Sequence, residues 1–65
     1  LADEALASYR AAVKIDPGYA DAYNNIGAVY RDMGEKGRAM EYFKKALDAE
    51  PGHAKARENL SGLTE

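Results

Sequence analysis

The sequence carries two Pro-Gly pairs at a fixed interval, because Pro17-Gly18 and Pro51-Gly52 lie 34 positions apart. Each pair follows an acidic residue and is followed, one residue later, by an alanine. Shifting the whole chain by 34 positions also places small residues on small residues and large apolar residues on large apolar ones, as with Tyr9 on Phe43. Self-similarity at this period indicates a repeat protein, in which each unit buries its apolar face against its neighbours.

Composition favours helices and excludes several kinds of site. The chain is rich in Ala, Glu, Lys, Arg and Leu, which form helices readily, and poor in β-branched residues. It has no cysteine and a single histidine, His53, which excludes disulfides, thiolate metal sites, cysteine nucleophiles and multi-histidine metal sites. We therefore expect neither a cofactor nor a metal. A chain of 65 residues has a small core, so its stability must come from regular helix packing or from association.

Proline, glycine and apolar periodicity divide the chain into four helices. Pro17 and Pro51 end helical patterns, and Gly34 suits a left-handed helix cap. Such short connections require neighbouring helices to run antiparallel. The sequence therefore predicts an all-α fold of antiparallel helix-turn-helix repeats. The predicted helices cover residues 2 or 3 to 15, 20 to 33, 36 to 49, and 53 or 54 to 63.

Gly27 lies inside the apolar arc of the second predicted helix. Glycine in a helix interior costs about 1 kcal/mol relative to alanine, so we expect close approach of another helix as the compensation. In the third predicted helix, an alanine lies on each side of Phe43, which lets the ring insert between helices. Tyr42 falls outside these arcs and is expected on the outer side.

These residues and spacings resemble the tetratricopeptide repeat, a 34-residue helix-turn-helix unit with the signature W-x₂-L-G-x₂-Y, then A-x₃-F, then P. Residues 20 to 53 match one complete unit. The residues that carry the match are Tyr23, Ile26, Gly27, Tyr30, Ala39, Phe43, Ala46 and Pro51. Residues 1 to 19 resemble the second helix of a preceding unit, and residues 54 to 65 resemble the first helix of a following unit. The 65 residues are thus expected to form one fragment of a repeat array.

The fourth predicted helix departs from this signature. Arg57 stands at the Trp position, Ser61 at the Gly position and Thr64 at the Tyr position. The change to polar side chains predicts a capping helix that closes the stack. It fits the degenerate start of a next repeat equally well.

The resemblance implies a short right-handed α-solenoid of four helices whose first helices line a concave groove. Members of the family mostly bind extended peptides or other protein surfaces in that groove, and they have no catalytic chemistry of their own. We therefore expect a non-catalytic protein–protein interaction module that acts as an adaptor or scaffold. Two alternatives remain open: a substrate-recruiting arm of a larger enzyme such as a glycosyltransferase, and a self-assembling scaffold fragment.

A polar stripe on the second predicted helix, opposite the apolar arc, is the candidate peptide-binding surface. The fourth predicted helix supplies equivalent positions one repeat later. The candidate groove residues are Asp21, Asn24, Asn25, Ala28, Asp32, Lys55 and Asn59, with Asn24 expected at the flank.

Two of these residues, Asn25 and Asn59, are one repeat apart and are expected to lie side by side in a stack. Each amide offers both a donor and an acceptor, so it can pair with a peptide backbone whatever the peptide's side chains are. The surrounding stretch is similar to the superhelical repeats of protein O-linked N-acetylglucosamine transferases, in which an asparagine row lines the groove. Simple hydration or hydrogen bonding within the repeat is the alternative for both residues. A carboxylate clamp is a further mode of the family, and only Asn25 and Lys55 match it.

Charge and hydropathy limit the classes of partner that the chain can bind. A net charge of −2 and a pI near 5.3 argue against nucleic acid or an anionic membrane, which both prefer basic surfaces. No apolar run approaches the roughly 20 residues of a membrane span, and no signal-peptide pattern is present, so a cytoplasmic location is favoured although the compartment stays unknown. The first predicted helix lacks a partner helix of its own. We expect its face with Leu6, Tyr9 and Val13 to stay partly open and to allow self-association.

Overall fold

Four α-helices make up the computed structural model, which describes residues 2–64. They are α1 (Ala2–Ile15), α2 (Ala20–Asp32), α3 (Lys36–Ala49) and α4 (Ala54–Thr64). Consecutive helices pack on one another as hairpins, and α2 also lies beside α4. The predicted all-α fold of helix-turn-helix units is confirmed. Only two helix ends differ from the prediction, since α2 ends one residue earlier and α4 one residue later.

The turns follow from the chemistry of the residues that form them. Gly34 has a φ of 82°, in the left-handed region that favours glycine, and the next amide, of Glu35, donates to the Tyr30 carbonyl at 2.9 Å. Between α1 and α2, the Gly18 amide donates to the Asp16 side-chain oxygen at 3.1 Å, which forms an Asx turn. Each turn thus gives main-chain groups at a helix end a partner and reverses the chain within a few residues.

The core is centred on the contact between Phe43 of α3 and Gly27 of α2. Phe43 and Ile26 are both fully buried. A Cβ atom built on Gly27 would lie 2.6 Å from two carbons of the Phe43 ring and 3.1 Å from the Ala39 carbonyl oxygen. The ring therefore occupies the space that a side chain at position 27 would need. This is the close helix approach that the glycine predicts.

The apolar face of α1 packs against α2. Leu6 is buried at 4% exposure in the same cluster as Ile26 and Tyr30, while Tyr9 and Val13 are half-buried against it. Of these three α1 side chains, Leu6 is thus part of the core, and the other two are covered only in part.

Tyr42 corrects an expectation. It was expected on the outer side, but it is half-buried and its ring stacks on Tyr30 at 5.6 Å between centroids and on Tyr23 at 6.4 Å. The side chain leans from α3 across α2, so its position on the helical wheel alone does not describe its contacts.

Candidate interaction surface

The candidate residues lie on α2 and α4, the two helices related by the 34-residue repeat. These helices meet through small apolar side chains, since Ala20 and Ala56 are buried in one cluster, and through polar ones. Asn59 of α4 donates from Nδ2 to Oδ1 of Asn24 on α2, at 3.0 Å. Repeat-equivalent helices are therefore neighbours, as tandem stacking requires.

The amide of Asn59 is held on both sides by α2. Its Nδ2 donates to Asn24, and its Oδ1 accepts from Nη1 of Arg31 at 3.0 Å. An amide has two N–H groups and two acceptor lone pairs, so one of each has no hydrogen-bond partner among residues 2–64. The two bonds thus fix the orientation of the Asn59 amide and engage half of its hydrogen-bonding capacity.

Asn24 is the side chain for which the structure departs most from expectation. It was expected at the flank of the stripe, but it is buried, with 9% of its surface exposed, between α2 and α4. Arg31, the second partner of Asn59, was missed as a site residue. Arg31 is seven residues, about two helical turns, from Asn24, so both lie on one side of α2. This spacing is the sequence signal that links Arg31 to Asn24.

Asn25 is exposed, and within residues 2–64 its amide makes no hydrogen bond. The structure therefore brings Asn59 together with Asn24 and leaves the neighbouring amide of Asn25 in solvent. The two asparagines predicted to lie side by side thus differ in their surroundings, since Asn59 is anchored by α2 and Asn25 is exposed.

Asp21 is joined to α4 through His53, the residue that precedes this helix. Nε2 of His53 lies 2.6 Å from Oδ1 of Asp21, and Nδ1 lies 3.1 Å from the Ala56 amide nitrogen. A neutral imidazole with its proton on Nε2 satisfies both contacts, because it donates to the carboxylate and accepts from the amide. His53 thereby caps the start of α4 and fastens it to α2. The sequence showed the turn position of His53 but not this partner.

The remaining candidates give the surface a mixed charge. Ala28 is half-buried, whereas Asp32 and Lys55 are exposed. Nε of Arg31 lies 3.6 Å from Oδ1 of Asp32, and 40% of the Arg31 side chain and 77% of the Asp32 side chain are exposed. Exposed pairs of this kind contribute little to stability, so these charges remain accessible to a partner.

The described residues offer no sign of a metal centre or a bilayer-spanning helix. No three metal-ligating side chains among residues 2–64 come together in a way that would hold an ion. None of the helices in this range has both the length and the apolar character needed to cross a membrane.

Two family models match the chain. One, described as a TPR repeat, matches residues 2–34, and the other, described as a tetratricopeptide repeat, matches residues 20–53. Together they cover α1 to α3 and the turn before α4.

Several curated proteins are similar to the chain over most of its length. It is 42% identical over 63 residues to the protein O-mannosyl-transferase TMTC1 of Homo sapiens, a match that covers 97% of this chain and 7% of that protein. It is 34% identical over 61 residues to the chloroplastic tetratricopeptide repeat domain-containing protein PYG7 of Arabidopsis thaliana, covering 94% of this chain and 20% of that protein.

A third relative is the probable UDP-N-acetylglucosamine–peptide N-acetylglucosaminyltransferase SPINDLY of Solanum lycopersicum. The chain is 39% identical to it over 57 residues, which are 88% of this chain and 6% of that protein. The chain therefore spans a fifth or less of the length of each of these three relatives.

Proposed function

Because this chain belongs to the tetratricopeptide repeat family, whose repeats generally mediate binding to protein partners, we propose that it is a non-catalytic module that binds an extended peptide. The binding surface is the face of α2 and α4 that carries Asn25 and Asn59. The observation that supports this most directly is the state of the Asn59 amide, which is anchored by α2 yet keeps a free donor and a free acceptor.

Anchoring matters because binding must overcome the entropy lost by the side chains that make contact. Immobilising a flexible interface side chain costs about 0.5–1.5 kcal/mol, and rigidity present before binding removes that cost. Asn59 is already oriented by Asn24 and Arg31, whereas Asn25 has to be ordered by the ligand. Asn59 is therefore the amide that contributes most to hydrogen bonding with the peptide backbone, and Asn25 contributes less.

The charges beside these amides influence which peptides bind. Asp21 and Asp32 lie on α2, and Lys55 lies near the start of α4. A peptide with a basic residue toward α2 and an acidic residue toward Lys55 is favoured over one with the reverse order. Because the three side chains are exposed, their effect weakens as salt screens them.

The test is a screen of a random peptide library, followed by affinity measurements on the selected peptides with Asn25→Ala and Asn59→Ala. A hydrogen bond to a neutral group contributes about 0.5–1.5 kcal/mol, so each change is expected to weaken binding by about two- to thirteenfold. Glu41→Ala, which removes an exposed side chain of α3, is the matched control and is expected to leave affinity unchanged. Selected peptides that bind both asparagine variants as tightly as the original chain would refute the proposed surface.

A second candidate function is the recruitment of substrates by a larger enzyme. It is favoured by the names of two of the relatives, which are transferases acting on proteins or peptides. In a glycosyltransferase that contains this chain, Asn25→Ala with Asn59→Ala should raise KM for protein acceptors and leave donor-sugar hydrolysis unchanged. An equal fall in both rates would speak against a recruiting role.

Self-association through α1 is the remaining proposal about partners, and it is also the basis of the alternative role as a self-assembling scaffold. It rests on comparison of equivalent positions in the two repeats. In α3 the stripe of Ala39, Phe43 and Ala46 is fully buried against α2. The equivalent stripe of α1, formed by Ala5, Tyr9 and Ala12, is only half-buried.

A second copy of the chain that covers this stripe would bury further apolar surface, and each Å² of buried apolar surface contributes about 25 cal/mol to the free energy of association. Sedimentation equilibrium is expected to show a dimer that Tyr9→Ser weakens and that Tyr19→Ser, an exposed tyrosine in the α1–α2 turn, does not. A monomer mass at millimolar concentration, with a melting temperature that does not rise with concentration, would rule it out.

A further inference from the structure

The helices α1 and α3 both pack on α2 but do not meet each other. Within residues 2–64, no Cα atom of α1 lies within 8 Å of a Cα atom of α3. Side chains of α1 and α3 converge on the tyrosines of α2 that lie between them, and we call this region the tyrosine furrow. It consists of Tyr23 and Tyr30 on α2, Arg10 on α1, and Arg38, Tyr42 and Lys45 on α3. None of these residues belongs to the peptide-binding surface proposed above.

Three aromatic rings line the furrow. Tyr42 stacks on Tyr30 with the ring planes 25° apart and on Tyr23 with the planes 30° apart. Tyr30 itself is almost completely buried, at 3% exposure, while Tyr23 and Tyr42 are half-buried. The stack is therefore a fixed platform, since each ring is held by its neighbour and by the core.

Three cationic side chains converge on this platform from two helices. Arg10 donates from Nη2 to the Tyr30 hydroxyl, and the Cζ atom of Arg38 lies 5.6 Å from the centre of the Tyr30 ring. Nζ of Lys45 lies 5.2 Å from the centre of the Tyr42 ring. The Tyr30 hydroxyl and, after it, the Glu35 carboxylate raise the pKa of Arg38 above its usual value.

Carboxylates near the furrow balance its three cations only in part. Of the three cations, only Arg38 has a carboxylate partner among the described residues, Glu35 at 3.6 Å, and that pair is largely in solvent. Arg10 and Lys45 have none within 4.0 Å in residues 2–64. Glu41 also acts on Arg38, and Asp48 lines the cleft with Lys45, so the positive excess of the furrow is centred on Arg10, on a chain whose formal charge is −2. Such a local excess attracts an anion that the rest of the surface repels.

A cleft of about 310 Å³ continues the furrow toward the turn between α1 and α2. Tyr23 and Lys45 belong to both the furrow and the cleft. The residues lining the cleft are Pro17, Gly18, Tyr23, Lys45, Asp48 and Ala49. Asp48 disfavours a second anion there, while Pro17 and Ala49 offer apolar contact. The cleft is therefore suited to an uncharged side chain next to an anionic group.

We propose that the tyrosine furrow binds an acidic peptide segment. Carboxylates of the segment pair with Arg10 and Arg38, which present guanidinium groups suited to bidentate contact. Lys45 adds a point charge at the other end, and an apolar residue of the segment enters the cleft.

A nucleic acid is the less suitable occupant. Affinity for a nucleic acid grows with the number of phosphates that cations neutralise, and three cations on an otherwise acidic protein neutralise only a few. A peptide can place two or three carboxylates against these cations and present neutral residues elsewhere.

The test measures fluorescence anisotropy of a labelled hexaglutamate peptide at low salt, with labelled hexaglutamine as the uncharged reference. The double variant Arg10→Gln with Arg38→Gln is compared with Lys36→Gln with Lys44→Gln. Both pairs remove two positive charges, and the control pair lies on exposed positions of α3 outside the furrow. Far-UV circular dichroism and melting curves show whether each variant remains folded.

We expect the furrow variant to weaken hexaglutamate binding about tenfold or more, because charge-assisted hydrogen bonds are lost, and the control pair to weaken it less than twofold. Lys45→Gln, which leaves both arginines in place, should give an intermediate loss. A leucine added to one end of hexaglutamate should tighten binding to the original chain.

Equal weakening by both pairs would reduce the effect to net charge and overturn the proposal. So would a failure of hexaglutamate to bind more tightly than hexaglutamine. A labelled dodecathymidylate that binds more tightly than hexaglutamate and loses affinity in the furrow variant would make the site a nucleic-acid site instead. Asn25→Ala should leave hexaglutamate binding unchanged, which separates this result from that of the proposed peptide-binding surface.

Discussion

Replacing Gly27 with alanine isolates the contact on which the packing of α2 against α3 depends. The substitution adds a single methyl group, yet two opposing effects act on the free energy of unfolding. Alanine is favoured over glycine in a helix interior by about 1 kcal/mol. Against this, the new Cβ would lie 2.6 Å from two carbons of the Phe43 ring.

The structure indicates which effect is larger. Non-bonded carbon atoms are most stable at about 3.5–4.0 Å, so the methyl group and the ring overlap by about 1 Å. Phe43 is fully buried, and the Ala39 carbonyl oxygen stands 3.1 Å from the same position, so neither the ring nor the helix has space to move into. Overpacking of this kind costs about 3 kcal/mol at the upper end of its usual range. Gly27→Ala is therefore expected to destabilise the protein by about 2 kcal/mol net, although alanine is the better helix former.

Urea unfolding followed by circular dichroism measures this difference, with Gly62→Ala as the matched control. A Cβ at Gly62, also within a helix, has no atom within 4 Å, so only the helix preference acts and stability should rise by about 0.5–1 kcal/mol. For a protein of this size, 2 kcal/mol corresponds to a fall in Tm of about 8–16 °C. If Gly27→Ala stabilised the protein as Gly62→Ala does, the argument from close packing would be wrong. Combining it with Phe43→Leu should recover part of the loss, because a smaller side chain vacates the overlap.

Three further changes test the polar contacts and the turn. His53→Ala removes both the cap of α4 and its bond to Asp21 and should cost about 1–2 kcal/mol in chemical unfolding; a cost no larger than that of Asp21→Ala would show that the cap contributes nothing. Asn24→Ala and Asn59→Ala should be coupled by about 0.5–1 kcal/mol in a double-mutant cycle, and additive losses would contradict the bond between them. Gly34→Ala should lower stability by about 1 kcal/mol because φ is 82° there, and Gly34→Asn should lower it less, as thermal melts would show.

Much of the fold follows from the sequence because the ends of the helices are marked by proline and glycine, whose backbone conformations differ from those of other residues. Proline ends helices, and Gly34 accepts the left-handed turn, so the helix boundaries could be placed within one residue. Gly27 and Phe43 lie on different helices. An interior glycine predicts that another helix packs closely against it, and the Phe43 ring makes that contact. Glycine and proline positions are informative because few other residues fit the same backbone geometry or the same close contact.

The site was less predictable because long polar side chains choose their partners only after the helices have packed. Asn24 and Asn25 are adjacent and chemically identical, yet one is buried against Asn59 and the other is exposed. The angle between α2 and α4 decides this, and the helical period alone does not give that angle. Tyr42 shows the same limit, since its wheel position pointed outward and its ring reaches over α2.

The contacts between α2 and α4 determine how motion is distributed along the molecule. Outside the consecutive hairpins, the side-chain hydrogen bonds of residues 2–64 join α4 to α2 at only three places: Asn59 to Asn24, Asn59 to Arg31, and His53 to Asp21. Leu60 and Leu63 of α4 also pack against the core cluster that contains Phe43, so fraying of α4 exposes part of that cluster. Amide hydrogen exchange should be slowest in the middle of α2 and α3 and progressively faster toward α1 and α4, so a partner bound across α2 and α4 would act chiefly by suppressing the fraying of one end.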